Sequence, residues 1–437
     1  MKVLKFGGTS IGSAERIKNV ANIIANGERK IVVLSAMSKT TNALYEISNY
    51  LSKNNIDGSI ETINGLKQKY IQVMDELFSM ESFKQKCTDV ILTHFDLLNQ
   101  LSQEAFTPML EKTIVAQGEF LSTHLMYYYL LENKKEVTLC SALDFMRIDK
   151  NNEPDTPYIK KNFLEIFQSQ PTTEIILTQG FVCRNAYGEI DNLERGGSDY
   201  TASILGGIVS AEEIQIWTDI DGMHNNDPRL IANTSPVRHL NFEEAAELAY
   251  FGAKILHPTC ILPAKINNIP VRLLNTLQAN AIGTLISNDI EKGKIKAVAT
   301  KDNITSIRIK SGRMLLAYGF LRKVFEIFEI YRTPIDMITT SEVAVAVTID
   351  NQKFLPEIVD DLKQYGTITI ETDLSIICVV GDLQYNNIGF EAKIVNAIKE
   401  IPVKMISYGG SNYNISFLVE SKHKLQALNA LSSNLFV

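Results

Sequence analysis

Long apolar runs, paired cysteines and a surplus of basic residues are all missing from this 437-residue chain. No stretch approaches the roughly 20 apolar residues that cross a bilayer, so no membrane partner is expected. The five cysteines, Cys87, Cys140, Cys183, Cys260 and Cys378, are odd in number, scattered, and never spaced Cys-x-x-Cys. That usage argues against a disulfide framework or a zinc site and favours reduced thiols in a cytoplasmic setting. The formal net charge of −7 excludes the broad basic face that nucleic acid requires, while leaving room for local sites that take small anions. The opening Met1-Lys2-Val3-Leu4-Lys5-Phe6-Gly7-Gly8 is interrupted too soon to read as a signal peptide.

What is present is ordinary for a globular protein of two or three domains: 45% hydrophobic and 21% charged residues. Val3 to Phe6 reads as a short buried strand followed by Gly7-Gly8-Thr9-Ser10, then by a helical pattern from Ser13 or Ala14. Lys30 to Ser35 is a second apolar strand. This βαβ arrangement places its loop at the carboxyl edge of a parallel sheet, where ligands bind in open α/β folds. The Gly-Gly turn matches neither a dinucleotide fingerprint nor a P-loop. Lys5, inside the strand, either points its ammonium at an anion in that turn or is a solvated edge residue.

Residues 42 to 131 read as mainly helical, with Glu119 near a helix start, and Val137 to Cys140 and Thr173 to Val182 read as strands. Leu193 to Ala202 holds Arg195-Gly196-Gly197-Ser198-Asp199 and runs into a helix over Tyr200 to Val209. Adjacent glycines at a helix start suit an anion. An ordinary turn with a Ser198 or Asp199 cap accounts for the same residues. Glu213 to Trp217 is a strand ending in Thr218-Asp219. A helix over Phe242 to Leu256 contains Gly252, which costs about 1 kcal/mol there and signals close packing or a break. Ile269 to Asn275 is a last strand, closing the first domain near residue 287. Thereafter the pattern is β-α-β-β-α-β, then a second such round lacking its fourth strand, which Ile295 to Thr300 is expected to supply by folding back.

Assembled, these stretches closely resemble the aspartokinases of the amino-acid kinase family over nearly the whole length. Lys5-Phe6-Gly7-Gly8-Thr9-Ser10, Arg195-Gly196-Gly197-Ser198-Asp199, Trp217-Thr218-Asp219-Ile220-Asp221-Gly222 with Asp227-Pro228-Arg229, and Phe251-Gly252-Ala253-Lys254 with His257-Pro258 are similar to four family signatures, in order. The resemblance implies an α/β three-layer sandwich with a mainly parallel sheet over 1–287. Two ferredoxin-like ACT modules would follow over 288–375 and 376–437, with no fused homoserine dehydrogenase half. It implies ATP-dependent phosphorylation of the side-chain carboxylate of L-aspartate, with Mg²⁺ accompanying ATP and no direct protein ligand to the metal. In that reading Lys5 and Asp199 are catalytic, and Gly7, Gly8, Ser10, Gly196, Gly197 and Ser198 bind phosphate. Thr41, Glu119 and Arg195 bind aspartate, and Thr218, Asp219, Arg229 and Lys254 hold the nucleotide. Met314, Gly319-Phe320-Leu321 and Ile338 to Val343 are similar to the lysine-sensitive branch. This makes Met314, Asp336, Ser341 and Glu342 candidates for an amino-acid effector site, with lysine as effector and a homodimer or higher oligomer formed through the modules.

Two positions depart from the pattern: Glu194 stands where the family usually has glycine, and His224 where it often has an aromatic residue near the adenine. A related kinase of glutamate or N-acetylglutamate, and a catalytically silent amino-acid sensor of the same fold, are the alternatives.

Overall fold

The computed structural model describes residues 1–194, 196–252, 258–312, 314 and 318–436. It divides into two units, Met1–Met223 with Ile255–Asn288, and His224–Lys254 with Asp289–Val437.

The chain begins β1 (Lys2–Phe6), α1 (Ala14–Ile24), β2 (Lys30–Leu34), α2 (Thr40–Ser52), α3 (Ile56–Leu77), α4 (Glu81–Leu101) and α5 (Pro108–Glu132). It continues β3 (Val137–Cys140), α6 (Ala142–Phe145), α7 (Thr156–Ser169), β4 (Ile175–Gln179), β5 (Val182–Arg184), β6 (Ile190–Asn192), α8 (Gly197–Ile208) and β7 (Glu213–Thr218). After β8 (His239–Asn241) and α9 (Phe242–Tyr250), both in the second unit, come α10 (Leu262–Ile266), β9 (Val271–Asn275) and β10 (Thr284–Ser287).

Within the first unit the sheet runs β3-β4-β2-β1-β7-β9-β10. Pairing is parallel from β3 to β9 and antiparallel between β9 and β10. Phe6 pairs with both Leu34 and Trp217, so β1, β2 and β7 end level at one carboxyl edge. Every residue of β2 and β4 is buried, as expected of parallel strands covered on both faces. Leu4, Phe6, Val32, Leu34, Ile175 and Leu177 pack with residues of α1 to α5 in one core. Because side chains alternate along a strand, Val3 and Lys5 face the other layer, where α8 lies against β1 and α10 against α8. This is the expected three-layer sandwich.

Local chemistry sets the helix starts. Ser13 caps α1 by accepting from the Arg16 N–H, and Thr107 caps α5 by accepting from the Leu110 N–H, with Pro108 at the first helical position. The sequence suggests a helix start near Glu119, but α5 runs unbroken from Pro108 to Glu132 and buries Glu119 in its middle. Gly118 explains the difference. A β-carbon there would lie 2.7 Å from the Ala36 β-carbon, so glycine serves close helix packing and not a helix boundary.

The second unit continues β11 (Ile295–Lys310), α11 (Phe320–Ile330), β12 (Ile338–Thr340), β13 (Ala344–Ile349), α12 (Leu355–Leu362), β14 (Thr367–Gly381), α13 (Phe390–Ala397), β15 (Val403–Tyr408), β16 (Asn414–Glu420) and α14 (Lys424–Leu435). The strands form one antiparallel sheet, β12-β13-β11-β14-β16-β15. Where the sequence shows separate short strands, the structure has two long ones. Ile295 to Lys301 pairs with Ile376 to Gly381, and Ile304 to Lys310 with Thr367 to Leu374. Register shifts around Lys301, Ile304 and Ser306 carry the ladder across the junction, the usual work of a bulge. Two helix-covered cores result, one around Phe417 and Leu428 and one around Val347 and Val324. The helix read over Phe242 to Leu256 ends at Tyr250. Gly252 has φ +123° and would set a β-carbon 2.0 Å from the Thr300 carbonyl oxygen, so a side chain cannot be accommodated there.

Candidate active site

A cavity of about 570 Å³ opens in the first unit, lined by Lys5, Ser35, Thr41, Tyr45, Glu119, Phe181, Asn192, Glu194, Gly196, Gly197, Ser198 and Asp199. It lies where β1, β2 and β4 end, the edge at which a parallel sheet presents its ligand loops. The Lys5 Nζ stands 2.7 Å from Asp199 Oδ1, with about a tenth of each side chain exposed. The same ammonium lies 3.7 Å from the place a β-carbon would occupy at Gly7. Lys5, the glycine turn and the start of α8 therefore converge.

Helix α8 begins at Gly197, three residues earlier than its apolar pattern suggests. The reason is Gly196, whose φ of +73° turns the chain directly into the helix. Gly197, Ser198 and Asp199 thus form the first turn at the positive dipole end, where the Gly197 N–H donates to the Glu194 carbonyl at 3.1 Å and the Asp199 N–H to the Gly196 carbonyl at 2.9 Å. The Gly196 carbonyl also accepts a hydrogen bond from Cys260 Sγ at 3.3 Å.

Glu119 reaches the cavity from the middle of α5. Its Oε1 accepts from the Ala36 N–H at 3.1 Å, while Oε2 is buried with no protein partner. Burial pushes its pKa up to about 8, opposed by the Ala36 N–H and by the Lys5 charge. A carboxyl held in that state ionises readily when a cation arrives. Ser122 ties α5 to the same loop by donating to the Ser35 carbonyl at 2.8 Å. Glu194 is exposed on the cavity wall, and Thr41 lines it from the first turn of α2.

Other candidate residues are placed differently. The Gly7 N–H donates to the Trp217 carbonyl at 3.2 Å, so it is already used within the sheet edge. Ser10 is buried, its hydroxyl donating to the Trp217 carbonyl at 3.2 Å and accepting from Thr276 at 3.3 Å. Thr218 closes β7 beside β1, its hydroxyl bonded to the Ile220 backbone, and Asp219 follows it, exposed. Arg229 belongs to the second unit, where it grips Asp227 with hydrogen bonds of 2.7 to 3.2 Å. His224 bonds Thr234 through Nδ1 at 3.0 Å. Arg195 and Lys254 lie outside the described residues.

In the second unit, Asp336 is buried against Lys301, with Nζ at 2.5 Å, and accepts from the Tyr250 hydroxyl at 2.8 Å. Burial raises its pKa against the pull of Lys301. Ser341 and Glu342 sit exposed in the turn between β12 and β13, and Met314 is half-buried.

The cavity also contains residues that the motifs did not single out: Ser35, Tyr45, Phe181 and Asn192. Ser35 and Phe181 follow the ends of β2 and β4, and Tyr45 stands four residues after Thr41 on α2, so edge position and helical spacing could have found them. Nothing local marks Asn192. Among the described residues, no three His, Cys, Asp or Glu gather as a metal site, and no helix is long and apolar enough to cross a membrane.

Fold and site together define an α/β enzyme domain that meets small charged ligands at a parallel-sheet edge, joined to a ferredoxin-like double module. A model described as the amino acid kinase family matches residues 1–275, and one described as an ACT domain matches residues 377–435. Aspartokinase 3, chloroplastic, of Arabidopsis thaliana is 35% identical, over 98% of this chain and 81% of its own. Lysine-sensitive aspartokinase 3 of Escherichia coli is 30% identical over 99% of both. The crystal structure of E. coli aspartokinase III with aspartate and ADP (R-state) superposes with a TM-score of 0.85 at 29% identity over 100% of both chains. The same enzyme with lysine and aspartate (T-state) gives 0.82 at 30%, again over 100% of both chains. The chain belongs to the aspartokinases of the amino acid kinase family.

Proposed function

We propose that this chain transfers the γ-phosphoryl group of ATP to the side-chain carboxylate of L-aspartate, giving 4-phospho-L-aspartate and ADP. That product begins lysine, threonine and methionine biosynthesis. The observation that carries the reading is a single cavity holding the Lys5–Asp199 pair and the buried, unpartnered Glu119 Oε2. A carboxylate oxygen of aspartate bonds to the γ-phosphorus while the bond from that phosphorus to the bridging oxygen of ADP breaks. ADP leaves with the electron pair. Such a transfer needs positioning and charge neutralisation more than covalent help.

Lys5 supplies positive charge where it develops on the moving phosphoryl group. Glu119 takes the α-ammonium, and Thr41 holds the substrate from the α2 side. The positive dipole end of α8 attracts the phosphate oxygens. Asp199, a carboxylate already in the cavity beside a cation, suits Mg²⁺ brought with ATP, which would supply further neutralisation of the phosphates. Arg195 and Lys254 are assigned to the α-carboxylate and the nucleotide by resemblance alone, as are Thr218, Asp219 and Arg229. The reading extends to a cytoplasmic homo-oligomer inhibited by an amino acid, lysine, at the ACT modules. The two E. coli structures support the substrate and the effector in this reading, one holding aspartate with ADP and the other lysine with aspartate.

A coupled assay of ADP release tests it, with Mg²⁺ and ATP and with aspartate, glutamate or N-acetylglutamate, each with and without lysine. Turnover with aspartate, depressed by lysine, is expected. Turnover with glutamate alone would move the chain to a sister activity. No turnover with lysine still bound would leave a sensor.

A further inference from the structure

Among its described lining residues the cavity holds a carboxylate, Glu194, that the proposed reaction does not use. Three carboxylates line it, from Glu119, Glu194 and Asp199, against one described cation, Lys5, which is paired with Asp199. Lining side chains without a part in the mechanism above include Ser35, Tyr45, Phe181, Asn192 and Glu194, of which Tyr45 and Glu194 are ionisable. Tyr45 is one helical turn beyond Thr41 on α2, so both present to the same side. Its side chain is large and 45% exposed. Helix α2 packs on α5 beside Glu119: Leu44 and Thr40 side-chain carbons lie 3.2 and 3.4 Å from the place a β-carbon would occupy at Gly118. Tyr45 therefore lines the side of the cavity where Glu119 Oε2 awaits a donor.

We propose that Tyr45 and Glu194 set substrate selection here, admitting acids with a free α-ammonium and rejecting N-acylated ones. This rests on the aspartate kinase reading and deepens it. An ammonium offers three donors and a full charge to the carboxylates; an amide N–H offers one donor and no charge. Acylation also adds a planar group beside Glu119, in space that the Tyr45 ring restricts. Its carbonyl oxygen would face carboxylates and not donors. Glu194 reinforces the choice through its negative potential, which attracts an ammonium and gains nothing from an amide.

The test measures N-acetyl-L-aspartate as a competitive inhibitor against aspartate, reported as its Ki divided by the KM for aspartate. Y45A is expected to lower that ratio at least about tenfold, as when a pocket wall is removed. E194Q is expected to lower it about threefold, the effect of one charge in a wet site. Y45F, which keeps the ring, should behave as wild type. An unchanged ratio in Y45A overturns the wall, an unchanged ratio in E194Q overturns the charge, and a Y45F that behaves as Y45A overturns selection by bulk. If Y45A does not fold, Y45L replaces it. Wild type without aspartate turnover would instead sink the kinase reading. Calorimetric binding of aspartate and N-acetylaspartate to the same variants would then still decide the selection.

Discussion

Two lysine–aspartate pairs in this chain look alike on paper and differ in what surrounds them. Lys5–Asp199 in the first unit, at 2.7 Å, opens onto a cavity of about 570 Å³. Lys301–Asp336 in the second, at 2.5 Å, is engaged by further protein groups: the Tyr250 hydroxyl donates to the same aspartate, the ammonium lies 4.5 Å from the Tyr250 ring centre, and Asp350 is 2.9 Å from that ammonium. The first pair keeps capacity for a ligand's charge. The second uses its cation within the fold, holding the end of α9 to β11. Residue type and spacing therefore do not distinguish a reactive pair from a structural one; the space left around it does.

The sharpest way to break the comparison is to remove each lysine. Lys5→Ala should lower kcat by roughly 10²–10³, the usual loss of one preorganised charge-stabilising donor. Near-normal kcat in a steady-state assay would put Lys5 outside the mechanism. Lys301→Ala should act on stability, costing about 2–3 kcal/mol in a urea titration, because it leaves the buried Asp336 without its cation. Much of that loss should return in K301A/D336N. If K301A melts like wild type, the second pair is not structural.

Next comes pH. Glu119 is held near 8 by burial, well above its unfolded value, so the folded chain binds the extra proton between those two values. Its contribution to stability is full below the unfolded pKa and is lost as pH rises towards 8. Relative to wild type, Glu119→Gln should gain stability over that window in thermal melts. The KM of wild type for aspartate should also fall as pH rises towards 8, because the ammonium needs the ionised carboxylate. A pH-independent difference between the two proteins would reject the shift. The smallest effect belongs to Glu342→Ala: weaker lysine inhibition with uninhibited turnover kept, read from a lysine dose series. Unchanged inhibition moves the effector site away from the turn between β12 and β13.

Much of this was legible from the chain alone, for reasons specific to each segment. Lys5-Phe6-Gly7-Gly8 announces a strand and a turn because apolar runs and adjacent glycines act locally. The sandwich, the double module and the motif order were readable for the same reason. Glu119 was misplaced at a helix start because Gly118 looks like a breaker, whereas it serves the approach of α5 to Ala36. Ser10 and Gly7 sit inside a signature, yet their polar groups are engaged by Trp217, more than 200 residues away.

By itself the sequence determined which residues are apolar in which period, where glycine permits a turn, and hence the order of strands and helices. Only the tertiary structure decided that Lys5 meets Asp199, that Glu119 is buried with one oxygen free, that Tyr45 and Glu194 line the same cavity, and that two pairs of short strands merge across a bulge. The physical reason is range. Backbone preference and side-chain periodicity are encoded within a few residues, whereas burial, charge pairing and the pKa that follows depend on neighbours brought together only by folding.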